Sequence, residues 1–297
     1  MHARLMALGN TIMEKEEIIR ECLGKDAHIL SPLVGGMMNE SYIVEHFDKK
    51  YVLYMPTAQA NEMVNRYIEK ENQEIIYKLG LTSKNVYFDP ETGIKINEYI
   101  EGLSLDHEEV IDINRVAGLL KYLHGSKNLS RADYRPFQRL INFEKEAGEY
   151  VSRRSNKYKE LHEILFENRE FLESQPLCLC HNDSQKSNIV ECTNGKYYLI
   201  DFEFSANNDP IYDIAAFGNG TVKEGRELLD CYYGSPNKDE IKRFYLWRIF
   251  LSLQWHNVAI VKHYRGEGEK HGYNFLDVAD FFLKNAIDAY EGLKKGK

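Results

Sequence analysis

The chain has 297 residues, enough for one large domain or two lobes with a substantial core. Hydrophobic residues make up 43% and charged residues 28%, the balance of an ordinary globular protein. The formal net charge of -8 argues against a nucleic-acid binder, which needs a basic face, and leaves open a site for a cationic small molecule.

The first third alternates strand and turn signals. Ser41 to Phe47 and Tyr51 to Met55 are short β-rich runs, and Asp48-Lys49-Lys50 between them predicts a hairpin. A helix is expected from about Glu62 to Leu79, where apolar residues recur at helical spacing and Gly80 stands ready as the cap. Asn85 to Phe88, the turn Asp89-Pro90-Glu91-Thr92-Gly93 and Ile94 to Ile100 predict a second hairpin. After Gly102 the texture becomes helical, first over Glu109 to His124 with a clear apolar stripe. Leu140 to Glu173 follows, with a break near Ser152 to Ser155, and then Glu240 to Tyr264 and Asn274 to Leu293. The expected class is α+β: a small antiparallel-sheet lobe over 1–100, a hinge near 97–102, and a larger, mainly helical lobe over 101–297.

Five cysteines at irregular positions form no disulfide framework, and the N-terminus has no long apolar run of a signal peptide. A reducing cytoplasm is the expected compartment. No apolar stretch is long enough to span a bilayer as a helix.

One strand pair interrupts the helical part. Asn188 to Cys192 and Tyr197 to Phe202 flank Asn194-Gly195, the dipeptide that best suits a two-residue hairpin loop. Such a loop sets Ile189 opposite Ile200 and Asn188 opposite Asp201, with Asp183 five residues upstream of Asn188. Three oxygen-bearing side chains then converge without a thiol, a set that suits Mg²⁺. Zinc on Cys178, Cys180, His181 and Asp183 is the rival, but the Cys-x-Cys spacing is tight and no second pair lies nearby in sequence. The cysteines otherwise read as small core residues on a buried strand.

His181-x-Asp183-x-x-x-x-Asn188 followed by Leu199-Ile-Asp201-Phe-Glu203 resembles the catalytic core of the aminoglycoside phosphotransferase and choline kinase superfamily, itself related to the protein-kinase motifs. Gly35-Gly-Met-Met-Asn39-Glu-Ser-Tyr42, Val64-Asn-Arg66-x-x-Glu69-x-x-Asn72, Ile96-Asn-Glu98-Tyr-Ile100-Glu101, Pro136-Phe137 and Leu199 to Ala215 look most like bacterial LicA-type choline kinases. They are spread over most of the chain in the expected order. The resemblance implies a protein-kinase-like two-lobe fold with ATP between the lobes. It implies Asp183 as the base at the acceptor hydroxyl, Asn188 and Asp201 as holders of Mg²⁺, and His181 as a brace for the loop. Gly35, Gly36 and Asn39 would approach phosphates, Glu69 would pair with a phosphate-binding cation, and Glu98 and Ile100 would offer backbone groups to adenine. A Gly-Gly turn is by itself only a turn, and Glu69 reads equally as a solvated helix residue paired with Arg66.

The sequence departs from the family at one charged position. The strand residue expected to carry the phosphate-binding cation is Tyr54. Arg66, Lys49 or Lys50 could stand in; failing that, the chain is a degenerate, non-catalytic nucleotide-binding homologue. For the acceptor, choline has no N–H to donate and calls for aromatic faces and negative charge. Glu203, Tyr212, Trp247 and Trp255 fall where the family binds its acceptor, with Asp209 and Asp213 nearby in sequence. Each also has a structural reading: Asp209 as a helix cap, Asp213 as a brace of the catalytic loop, and the tryptophans as core. Tyr212 and Val258 stand where the family often has tryptophan. Choline is the expected acceptor; ethanolamine or an aminoglycoside is the alternative.

Overall fold

The computed structural model describes residues 15–33, 39–148, 155–268 and 274–296. The chain divides into two compact units: residues up to Gly102 together with Cys192–Asn194, and Leu103–Glu191 together with Gly195 onward.

The first unit opens with α1 (Lys15–Cys22) and continues through β1 (His28–Leu33), β2 (Asn39–His46) and β3 (Lys49–Pro56). Two helices follow, α2 (Ala58–Met63) and α3 (Arg66–Lys78), then β4 (Asn85–Phe88) and β5 (Lys95–Glu98). The five strands form one antiparallel sheet in the order β1-β2-β3-β5-β4. Val44 faces Tyr51, and Leu53 lies between Tyr42 and Ile96 across the strands. This face packs on Ile18 and Ile19 of α1 to form the apolar core of the unit.

Two local expectations need correction here. His46 pairs with Lys49, so the hairpin turns on Phe47-Asp48 and both lysines belong to β3. Phe47 and Asp48 have φ of 49° and 58°, the conformation a two-residue hairpin loop demands and one that a lysine pair has no preference for. The expected single helix over 62–79 is two helices. Val64 is extended, and Asn65 accepts from the Ile68 N–H to start α3 afresh. Gly80, with φ 71°, ends α3: the Leu81 N–H donates to the Ile76 carbonyl and the Gly80 N–H to Tyr77.

The second unit takes in β6 (Gly102–Ser104), α4 (Ile113–His124), α5 (Pro136–Ala147), α6 (Asn156–Glu167), α7 (Arg169–Glu173) and β7 (Cys178–Cys180). It continues with β8 (Ile189–Cys192), β9 (Tyr197–Leu199), β10 (Ala206–Asn208), α8 (Pro210–Phe217), α9 (Val222–Tyr233), α10 (Lys238–Tyr264) and α11 (Phe275–Lys295). Of the expected break near 152–155, residues 152–154 lie outside the described residues, and Ser155 caps α6 by accepting from the Tyr158 N–H. α4 starts at Ile113 rather than Glu109 because Asp112 caps it, accepting from the N–H groups of Asn114 and Arg115. α10 begins with a capping box between Asn237 and Glu240. It is buried on nearly every side along its middle and packs against α5, α8 and α11, which makes it the central post of this unit. Two small sheets, β7 with β10 and β6-β8-β9, lie among the helices. The class is α+β, a small antiparallel sheet unit and a mainly helical one, as expected. No helix among the described residues is long and apolar enough to cross a membrane.

The Phe47-Asp48 turn generates a test. Replacing it with Asn-Gly should stabilise the protein by about 1 kcal/mol, because asparagine tolerates left-handed backbone better than phenylalanine and glycine has no Cβ to strain there. A shift of the urea midpoint to higher concentration checks this.

Candidate active site

The residues from His181 to Asn188 leave the end of β7 and are pinned from below by Asp213 of α8. Asp213 is fully buried. Its Oδ2 accepts from the His181 N–H at 2.8 Å and its Oδ1 from the Asn182 N–H at 2.6 Å. His124 of α4 adds a ring nitrogen 3.0 Å from Oδ2. Burial alone would raise this carboxyl, but the bond and charge of His124, with His181, outweigh burial and hold it below the usual carboxylate range. Asn182 is left-handed, φ 64°, a conformation asparagine tolerates. Its side chain donates to the carbonyls of Phe204 (2.9 Å) and Ala206 (3.2 Å) and accepts from Asn208 (2.8 Å).

His181 is buried, and burial lowers its pKa. Nε2 lies 2.8 Å from the Ile200 carbonyl, and Nδ1 accepts from the Asp183 N–H at 3.3 Å, so the bonds select the neutral Nε2–H tautomer. Asp183 is half-buried. The Asn188 amide donates to its Oδ2 at 3.0 Å and to its backbone carbonyl at 2.8 Å, and Gln185 donates to Oδ2 at 3.3 Å. Both amides thus engage one carboxylate oxygen and leave Oδ1 for a substrate. Burial pushes Asp183 up to about 7, aided by the Glu203 and Asp213 carboxylates and opposed by the Asn188 and Gln185 amides.

Asp201 follows β9 with φ 65°, which costs an L-residue about 1–2 kcal/mol. The expected pairing that brought it opposite Asn188 is off by one. Ile189 faces Leu199 rather than Ile200, and the Ile200 N–H donates to the Asn188 carbonyl at 3.0 Å. The loop is therefore a residue longer than the Asn-Gly pair, and Gly195 (φ 76°) takes its left-handed position. Asn188 has its amide nitrogen committed to Asp183, so its Oδ1 is the atom with lone pairs for a cation. The Asn188 amide oxygen and the Asp201 carboxylate are both hard oxygen donors, the chemistry that fits Mg²⁺.

The thiols sit in different surroundings. Cys178, Cys180 and His124 have their donor atoms within 4.8 Å of one another. Yet Cys180 is fully buried, burial raises its thiol well above the ordinary value, and it donates to the Asn208 carbonyl. Both His124 nitrogens are engaged, by Asp213 and by the Tyr232 hydroxyl at 3.0 Å. His181 and Asp183 take no part in this cluster, which is a hydrogen-bonded core.

The residues expected at the acceptor separate. Glu203 is buried and close enough to act electrostatically on Asp183. Tyr212 and Trp247 are buried together, with ring centroids 5.2 Å apart, and the Trp247 indole donates to Asp209 Oδ2 at 2.8 Å. Asp209 also caps α8 by accepting from the Ile211 N–H and pairs with Arg243 at 3.1 Å. Trp255 is half-buried elsewhere on α10, stacked on Phe282. Sequence reasoning passed over three neighbours of this region. Tyr134 lies 5.2 Å from Tyr212 between ring centroids, and Arg139 sits 4.8 Å over Tyr134 and 4.8 Å over Phe204.

In the first unit Gly35 and Gly36 lie outside the described residues. Asn39 opens β2, Glu98 closes β5 exposed at its end, and Ile100 follows it half-buried. Glu69 is buried, not solvated. Arg66 donates to its Oε2 at 2.7 Å, and Lys95 pairs with its Oε1. Lys95 was not among the residues expected to stand in for the cation missing at Tyr54. It is the direct cross-strand partner of Tyr54 and lies 4.9 Å over that ring. Lys49 is exposed, and Lys50 pairs with Glu101 at 3.0 Å.

A family model described as choline/ethanolamine kinase matches residues 30–247. Protein LicA of Haemophilus influenzae is 26% identical over 280 residues, covering 88% of this chain and 79% of its own. The crystal structure of choline kinase LicA from Streptococcus pneumoniae superposes with a TM-score of 0.74 at 28% identity, over 99% of this chain and 100% of that one. The crystal structure of LicA in complex with AMP gives 0.73 at 27%, over 95% and 97%.

Asp213 generates the test of this geometry. Asp213→Ala leaves two buried backbone N–H groups and a histidine without their acceptor, and should cost about 3–5 kcal/mol in chemical denaturation. The folded-state pKa is lowered, so the stability it contributes is present above the ordinary value of 3.8 and lost as pH falls through the folded value. His124, His181, Asp183 and Cys180 are the titratable groups around it. The wild type should therefore lose its advantage over Asp213→Ala only below about pH 4.

Proposed function

The chain belongs to the choline/ethanolamine kinase family and is a phosphotransferase with an alcohol acceptor, and from that premise we propose that it phosphorylates choline with Mg-ATP. The observation that carries the reading is Asp183: a carboxylate fixed through Oδ2 by the amides of Gln185 and Asn188, its Oδ1 left for a hydroxyl.

Phosphoryl transfer asks for in-line positioning and neutralised charge more than for covalent help. Asp183 Oδ1 accepts the proton of the choline hydroxyl as its oxygen bonds to the γ-phosphorus, while the bond from that phosphorus to the bridging oxygen breaks and ADP departs with the electron pair. His181 holds the Asp183 backbone and stays neutral. Asn188 and Asp201 hold Mg²⁺, which when bound offsets the charge of the phosphates. Glu203 supplies negative charge toward the acceptor's cationic end, while the buried Tyr212 and Trp247 back that region from the core and Trp255, stacked on Phe282, takes no part. We place the reaction in the cytoplasm, where ATP is available and the five cysteines remain thiols.

Nucleotide recognition falls to the first unit in this reading: Gly35, Gly36 and Asn39 toward the phosphates, Glu98 and Ile100 toward the base. Tyr54 favours the rival view of a non-catalytic homologue, since a phenol cannot offset phosphate charge. Lys95 answers it. Arg66 and Lys95 both pair with Glu69, and Lys95 reaches it from the strand beside Tyr54. Lys95 thus takes over the role of the missing strand cation, with Glu69 and Arg66 orienting it.

Three measurements test the reading. Turnover of Mg-ATP with choline, run beside ethanolamine and an aminoglycoside, should favour choline, stop with chelator and return with Mg²⁺. Asp183→Asn should keep the fold and lose on the order of 10²–10⁴ in kcat; near-normal turnover would remove Asp183 as the base. Lys95→Ala should raise the KM for ATP roughly tenfold and leave the KM for choline unchanged, as expected for one charge-assisted contact. An unchanged KM for ATP would return the cation's role to another residue.

A further inference from the structure

The second unit contains an aromatic slot that is already filled by a cation of the chain itself. Arg139 of α5 lies with its guanidinium carbon 4.8 Å from the ring centroid of Tyr134 and 4.8 Å from that of Phe204. Among the described residues no carboxylate pairs with this guanidinium, and its Nε is buried without a hydrogen-bond partner. The two ring faces are the contacts that hold this guanidinium in place among the described residues.

The slot adjoins the catalytic loop. The Phe204 carbonyl accepts from the side chain of Asn182, the residue before Asp183, at 2.9 Å. Phe204 follows Glu203, the carboxylate that acts on Asp183. The other wall, Tyr134, touches Tyr212, with hydroxyls 3.4 Å apart, and the Tyr212 phenol feels both Arg139 and Asp183. Arg139 and Phe204 are half-buried, so the slot reaches solvent, whereas Tyr134, Tyr212 and Trp247 are sealed in the core.

A quaternary ammonium ion needs these surroundings: two ring faces and nearby carboxylates, with no demand for a hydrogen-bond acceptor. We propose that Arg139 is a specificity-determining residue that occupies the aromatic slot as an internal competitor, and that a quaternary ammonium acceptor binds there only by displacing its guanidinium. This rests on the reading of choline as acceptor. The consequence is a selectivity filter. Acceptors with a weaker claim on the ring faces do not displace the arginine, and the affinity for choline is set by a difference between two cation–ring interactions rather than by one.

The test separates the slot from the reaction. Binding of tetramethylammonium, which has no hydroxyl to phosphorylate, is measured by calorimetry on the wild type, on Arg139→Gln and on Arg139→Met. The two neutral replacements guard against loss of fold in one of them, which thermal melting monitors. Both should bind tetramethylammonium roughly tenfold more tightly than the wild type, and adding Phe204→Leu should cancel the gain. In steady-state assays the same variants should lower the KM for choline with little change in kcat. Equal or weaker tetramethylammonium binding by the neutral variants, no binding by any of them, or a gain that survives Phe204→Leu, overturns the proposal. Wild-type inactivity toward choline beside tighter tetramethylammonium binding by the variants overturns the acceptor assignment and leaves the slot standing.

Discussion

Everything at the catalytic loop hangs on the carboxylate of Asp213. It sits at the first turn of α8 and accepts from two consecutive backbone N–H groups, those of His181 and Asn182, while His124 secures it from α4. Two adjacent amides can point at one carboxylate only if the backbone turns sharply, and Asn182 supplies the turn by going left-handed. That turn presents Asp183, and His181 then closes the loop by taking the Asp183 N–H on one ring nitrogen and giving the other to Ile200. A single buried charge therefore converts the end of β7 into a rigid platform. Its desolvation cost is offset by hydrogen bonds that in turn fix the reactive side chain.

The second strained residue, Asp201, shows the same logic at the opposite strand. A left-handed aspartate costs about 1–2 kcal/mol and persists only where its surroundings insist on it. The β8–β9 ladder ends at the Asn188 carbonyl, which takes the Ile200 N–H. The chain leaves strand geometry one residue later, at Asp201. The placement of Asn188 and Asp201 does not come from ideal pairing; it comes from where pairing stops.

This explains what could be read in advance. The spacing from His181 to Asn188 and the run from Leu199 to Glu203 are local, so the sequence displays them whole, and they lead to the family and the α+β class. Cap residues are local as well, and Gly80 and Asp209 do in the structure what their chemistry suggests. What escaped depends on pairing between distant segments. Lys95 becomes relevant only through its register with Tyr54, and one strand's sequence holds no record of the neighbouring strand's side chains. The Asn-Gly loop was read a residue too short, because the three-residue form also places a glycine at its left-handed position and uses the same dipeptide. The break at Val64-Asn65 hides inside a good helical period, and an asparagine that caps looks like any polar residue on a helix. Trp247 and Trp255 share a helix and a spacing, yet one serves Asp209 in the core and the other stacks on Phe282. Periodicity gives a face, not a neighbour.

The charges of the two units make complementary arrangements. In the first, two cations, Arg66 and Lys95, pair with one buried carboxylate beside Tyr54. In the second, burial, aided by the nearby Glu203 and Asp213 carboxylates, pushes Asp183 up to about 7. Like charges held close in a poorly hydrated place are a standing cost to the fold. Arg139, drawn onto ring faces nearby with no carboxylate of its own, shows that the same region attracts positive charge even from within the chain. An excess of positive charge suits phosphates, and an excess of negative charge suits a metal ion and a cationic alcohol. In the proposed function, the residues that make the protein harder to fold are the ones that select what it binds.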